Sequence, residues 1–159
     1  MQKWKIELDH LPDPRLSPNA RLHYMLLYKA KREAKEEAFA IAKKGGVPDK
    51  PYHRVHVTIT YVSTDKRRRD MDNLLASTKP TIDGIVLAKV IEDDSVFNVS
   101  YSLYYEVGDK ARTIIEIEEI GLSLYQDTLD KTFKKHCKRA IKPQRLCSYL
   151  RNKAVHTPM

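Results

Sequence analysis

In the segment RVHVTITYVSTDKRRRDMDNLL, residues 54–75, the hydrophobic period changes once. Val55, Val57, Ile59 and Tyr61 alternate with His56, Thr58 and Thr60, the period and β-branched density of a half-buried strand. From Met71 onward helix formers take over, and Leu74 and Leu75 open an apolar face. Between the two lies a basic loop, residues 63–69, which ends in three consecutive arginines. Two carboxylates, Asp70 and Asp72, follow at once. This strand, basic loop and helix form the unit to which the rest of the chain attaches.

Upstream, residues 3–8 alternate with Trp4, Ile6 and Leu8 on one side, which predicts another half-buried strand. Residues 11–19 hold Pro12, Pro14 and Pro18 and read as a loop. A helix is expected over residues 22–44, with Leu27, Ala30, Ala34, Ala38 and Ile41 at helical spacing and Gly45-Gly46 ending it. Downstream, residues 71–88 predict a helix interrupted or restarted near Lys79-Pro80, because proline costs about 3 kcal/mol in a helix interior. Gly84 weakens the same helix. Residues 96–106 and 112–120 then read as a hairpin turned by Val107-Gly108-Asp109-Lys110.

After Gly121 an apolar stripe of Leu122, Tyr125, Leu129, Phe133 and Cys137 predicts an amphipathic helix. Its other faces carry Lys131, Lys134, Lys135, Lys138 and Arg139. The order β-α-β-α-β-β predicts an α+β fold, a small mixed sheet covered by helices, followed by a C-terminal basic helix. The boundary is expected near Gly121, with residues 1–121 as one domain and 122–159 as a basic helical extension.

Hydrophobic residues make up 42% of the chain, enough for a core and against wholesale disorder. Cys137 and Cys147 fit neither a disulfide framework nor a zinc spacing, and read as free thiols in a reducing compartment. The charged start MQKWKIELDHL predicts no secretory leader, and no apolar run suits a membrane span, so a cytoplasmic location is expected. The net charge of +8 is unevenly placed. Residues 131–159 carry nine Lys and Arg and no Asp or Glu, whereas the remaining 20 basic residues face all 21 acidic ones. Such a segment is an electrostatic footprint for a polyanion, most often nucleic acid. Lys134, Lys135, Lys138 and Arg139 are therefore candidate DNA contacts, and Arg21, at the start of the first helix, is another.

Acids set beside bases make chemical sense where a divalent cation works on a phosphate. Asp70, Asp72 and the later pair Asp93-Asp94 would hold the cation, and Lys66, Arg67, Arg68 and Arg69 would hold the backbone. Lys79 is a candidate ammonium for steadying an oxyanion or leaving group. A plainer reading makes Asp70 a helix N-cap, Asp72 a first-turn acid favoured by the helix dipole, and Asp93-Asp94 a polar turn.

The run Arg67-Arg68-Arg69-Asp70-Met71-Asp72-Asn73-Leu74, then Ile82-Asp83-Gly84-Ile85 and Glu92-Asp93-Asp94-Ser95-Val96, strongly resembles the RusA family of Holliday-junction resolvases of phages and prophages. Leu16-Ser17-Pro18-Asn19 also resembles that family's N-terminal loop, so the likeness covers roughly residues 3–120. It implies that Asp70, Asp72 and Asp94 are the metal-binding carboxylates, with Asp93 the weaker choice for the third. It implies that Lys79, four before Asp83, is the catalytic lysine. Here the chain departs from the family pattern, in which the lysine stands one helical turn after the second Asp; that position is Ala76.

The resemblance further implies a homodimeric endodeoxyribonuclease using Mg²⁺, with Mn²⁺ as a substitute and no organic cofactor. It would cut four-way DNA junctions by paired symmetric nicks, in recombination and repair. A junction's approximate two-fold symmetry suits two active sites in one assembly. Two other readings stand beside it: a less selective nuclease on branched DNA or RNA, and a non-catalytic DNA-binding protein. The second lacks a convincing helix-turn-helix in this sequence.

Overall fold

Alternating side chains build four strands, and two runs with helical spacing build the helices that cover them. The structure, a computed structural model, describes residues 3–120. The elements are β1 (Lys3–Leu8), a 3₁₀ turn (Pro14–Leu16), α1 (Tyr24–Gly45), β2 (Val55–Ser63), α2 (Met71–Leu87), β3 (Val99–Val107) and β4 (Arg112–Glu119). They form an α+β fold whose four-stranded sheet has the order β1-β4-β2-β3. β4 is antiparallel to β1 and β2, and β2 is parallel to β3, so the sheet is mixed. Parallel neighbours need a crossover, and α2 supplies it. The expected basic helix, with Lys134, Lys135, Lys138, Arg139 and both cysteines, lies outside the described residues.

Val55, Val57, Ile59 and Tyr61 of β2 are all buried, in register with Ile117 and Ile115 of β4. Ile6 and Leu8 of β1 extend the layer, as the alternation predicts. Ala42 of α1 and Ile82 and Ile85 of α2 join these side chains in one core, so both helices lie on this face. The other face is polar. His56 is hydrogen-bonded to Ser100 Oγ at 2.8 Å and Ser102 Oγ at 2.9 Å, and Lys5 and Arg112 pair with Glu116 and Glu7.

At Gly84 the two helices are in close contact. A Cβ there would stand 2.4 Å from the Lys35 carbonyl oxygen and 2.9 Å from Ala38 Cβ. The glycine that weakens α2 as an isolated helix is thus what lets it pack against α1.

The expected hairpin does not form. β3 and β4 are joined by a reversal but do not pair with each other; they flank β2 on opposite sides. The connection crosses the end of β2, where the Gly108 amide donates to the Ser63 carbonyl at 2.9 Å. A Cβ on Gly108 would come within 2.8 Å of Val62 Cγ1, so any larger residue there would force Val62 to shift. The reversal must span two strand spacings, about 10 Å, which a four-residue link can reach. β4 is thereby hydrogen-bonded on both edges, which suits its buried Thr113, Ile115 and Ile117.

Two boundaries also move. α2 runs unbroken through Pro80 rather than restarting there. Proline removes the donor for the carbonyl four residues back, that of Ala76, and Ala76 is on the exposed face where water can replace it. β3 begins at Val99 rather than near Val96, because Ser95 and Asn98 close a turn: Asn98 N donates to Ser95 O at 3.0 Å, and Ser95 Oγ to Asn98 Oδ1 at 2.8 Å.

Candidate active site

The basic loop is built around a carboxylate. Asp65 Oδ1 accepts from the Arg67 amide at 3.1 Å and from Arg69 Nη1 at 2.7 Å, while Oδ2 accepts from Arg69 Nη2 at 3.1 Å. Arg69 Nη1 also donates to the Tyr105 hydroxyl at 2.7 Å, tying the loop to β3. The Arg69 guanidinium, with the Arg67 amide next, holds Asp65 well below the usual carboxylate range. Arg69 is therefore engaged in the fold, whereas Lys66, Arg67 and Arg68 are exposed. Of the predicted phosphate-binding run, those three present their charges to solvent.

Asp70 occupies the N-cap position of α2, yet its side chain makes no capping hydrogen bond. The plainer reading thus holds for position, with Asp70 at the N-cap and Asp72 in the first turn, but not for a capping bond. Asp70 and Asp72 are both exposed, and neither carboxylate forms a hydrogen bond or ion pair with another described residue. Arg68, Asp70 and Asn73 line a cleft of about 350 Å³ against Pro12, Pro14 and Ser17 of the proline loop. Two side-chain contacts anchor that loop to α1: a hydrogen bond from His10 to Glu37 at 3.0 Å, and an ion pair of Arg15 with Glu33 at 2.8 Å.

Asp72, Ala76, Lys79 and Asp83 recur at i, i+4, i+7 and i+11, so they share one face of α2. Two helical turns separate Asp72 from Lys79, about 10 Å along the axis. The Lys79 ammonium donates to Asp83 Oδ1 at 2.5 Å and to Asp94 Oδ2. Partial burial opposes the charge of Lys79, but the bonds to Asp83 and Asp94 outweigh it and raise its pKa above the ordinary value. Lys79 is therefore a firmly protonated donor at neutral pH.

Asp94, rather than the exposed and unpartnered Asp93, is the member of its pair that faces the helix. It lies in the connection from α2 to β3, so the crossover that makes β2 and β3 parallel also brings Asp94 to Lys79. Tyr101 on β3 lies within their influence: partial burial, then the negative charge of Asp94, raise its hydroxyl pKa.

Asp70, Asp72 and Asp94 are not drawn together as a closed set. Among the described residues no group of three or more His, Cys, Asp or Glu is placed to hold a metal ion. The fold provides two carboxylates at the start of α2 with no partner among the described residues, and a third, from the α2–β3 connection, bound to a lysine two turns along α2. All three offer hard oxygen donors, and Asp94 keeps Oδ1 outside its bond to Lys79. Arg21 is exposed before α1 and pairs with no described residue.

Periodicity and spacing did not reveal the anchoring of Arg69 by Asp65 and Tyr105, or the proximity of Tyr101 to Asp94. Asp65 and Arg69 are four apart, but outside a helix that spacing carries no geometric meaning. No protein-family model matches the chain, and no curated protein matches it.

Proposed function

We propose that this protein is a divalent-metal-dependent endodeoxyribonuclease of the RusA type, acting as a homodimer to resolve four-way DNA junctions by paired nicks. The observation that carries the reading is the contact between Lys79 and Asp94. Two motifs fifteen residues apart, singled out from their likeness to that family, meet in space on the face of α2 that also displays Asp72.

Phosphodiester hydrolysis joins a water oxygen to phosphorus and breaks a P–O bond, and the departing oxygen takes a proton. Lys79, held protonated by Asp83 and Asp94, is suited to neutralise or protonate that oxygen. Lys66, Arg67 and Arg68 are suited to hold the flanking phosphates. Asp70, Asp72 and Asp94 are the residues that would hold Mg²⁺ or Mn²⁺. Bound there, the ion would supply an activated water and charge stabilisation at phosphorus.

The test is cleavage of a synthetic four-way junction beside forked, duplex and single-stranded DNA and RNA. Nicking of the junction that needs Mg²⁺ or Mn²⁺, stops in EDTA and is lost in Asp72→Asn with binding retained is the expected result. Cleavage undiminished in EDTA rejects the metal mechanism. Equal cutting of every substrate replaces junction selectivity with a general nuclease. No cutting by the wild-type protein with either metal leaves the non-catalytic DNA-binding reading.

A further inference from the structure

A groove of about 560 Å³ runs between α1 and α2 and ends at Lys79 and Asp83. Tyr28, Lys31, Arg32 and Lys35 line its α1 side, and Leu16, Pro18 and Pro80 give it apolar surface. Residues 28, 31, 32 and 35 are spaced i, i+3, i+4 and i+7, so α1 presents them as a single stripe. The stripe carries no carboxylate. Lys31 and Lys35 form no ion pair with any described residue, and Arg32 has only a loose contact with Glu36 at 3.6 Å. Tyr28 is 63% exposed, which leaves its ring open to a ligand.

A groove that combines free cations, an exposed aromatic ring and apolar walls has the composition of a single-strand site. There, cations track the phosphates and the ring stacks on a base. A duplex offers no base face to stack on. We propose that this groove seats an unpaired nucleic-acid strand next to the scissile phosphate. Lys31 and Lys35 hold its backbone, Tyr28 stacks on a base, and the strand runs on to Lys79. The chain's own residues 131–159, with nine cations and no carboxylate, offer no complementary charge to fill it.

The proposal rests on the nuclease reading for the scissile phosphate and adds that pairing opens at the branch point, so that a strand of the junction enters the groove unpaired. Its test reads binding alone. Fluorescence anisotropy of the full chain is measured with a labelled single-stranded DNA oligonucleotide, the RNA of the same sequence and the matching duplex, across a salt series without divalent metal. Lys31→Gln with Lys35→Gln is expected to weaken single-strand binding about tenfold or more and to reduce the log–log salt slope by about 0.7 per lost contact. Tyr28→Ala is expected to weaken it about tenfold while leaving the duplex nearly unchanged, and Tyr28→Phe to restore it.

These side chains are exposed, and unchanged circular dichroism confirms that each variant is folded. Single-strand affinity unchanged in the double lysine variant or in Tyr28→Ala overturns the proposal. So does an equal effect of Tyr28→Ala on strand and duplex, or displacement of the oligonucleotide by polyglutamate at equal charge concentration. Should the wild-type protein cut nothing while the Tyr28 and lysine effects hold, the nuclease reading fails and the groove stands as a strand-binding site.

Discussion

The Lys79 ammonium is hydrogen-bonded to the Asp94 carboxylate, which reaches it from the connection between α2 and β3. Asp83 completes the bridge from one turn further along α2. Removing the ammonium leaves two carboxylates facing one another, and removes a proton donor from the face that displays Asp72. Lys79→Ala is therefore expected to lower junction nicking by about 10²- to 10⁴-fold with binding changed little. Asp83→Asn, whose carboxylate bonds only to the lysine among the described residues, should cost less. Single-turnover cleavage beside a gel-shift titration separates the two effects, and full activity in Lys79→Ala would remove Lys79 from the mechanism.

Asp65 gives the basic loop a pH dependence. Its pKa is lowered from 3.8 in the folded chain by the Arg69 guanidinium and the Arg67 amide. A lowered folded pKa means that the contribution to stability is present above 3.8 and is lost as pH falls through the folded value. Urea midpoints measured from neutral pH down into the acid range should fall more steeply in the wild-type chain than in Asp65→Asn. Parallel curves would show that the Asp65–Arg69 contact contributes nothing to folding.

Gly84→Ala tests the helix contact. On propensity alone alanine would gain about 1 kcal/mol in a helix. The added methyl would meet the Lys35 carbonyl at 2.4 Å, and backbone cannot swing aside as a flexible side chain can. Overpacking then dominates, and a net loss of about 1–3 kcal/mol is expected from urea unfolding. A gain in stability would mean that α1 and α2 are not held as closely as described.

Tyr61 reaches from β2 into α2. Its buried hydroxyl donates to Thr78 Oγ1 at 2.8 Å, and the Thr78 hydroxyl donates in turn to the Leu74 carbonyl at 2.8 Å. Burial pushes the phenol up to about 12. Tyr61→Phe should cost about 1 kcal/mol, and Thr78→Val combined with it should cost less than the two single losses together. Additive losses in denaturant titrations would show that the two hydroxyls do not act as a pair.

Much of the fold was legible in residue patterns. The alternation in β1, β2 and β4 names which side chains are buried, because pleating sends neighbours to opposite faces. The glycines after α1 and the proline loop before it set that helix to within two residues. The hairpin was misread because alternation reports the face of a residue and says nothing of its strand's neighbours. A four-residue reversal joins adjacent strands or straddles a third, and the local residues are the same in both cases. The break expected at Pro80 was misread because the cost of proline depends on whether the orphaned carbonyl meets water, which is a matter of exposure.

The same division holds at the site. Composition and order within residues 65–94 determined which side chains carry charge, and in what sequence they come. Tertiary structure decided which of them work together. Lys79 is paired with Asp83 and Asp94, Arg69 is drawn out of the arginine run by Asp65 and Tyr105, and the carboxylates of Asp70 and Asp72 have no partner among the described residues. Charge and hydrophobic period are properties of the chain that survive unfolding. A hydrogen bond across fifteen or thirty-six residues exists only once a helix and a sheet have been packed against each other.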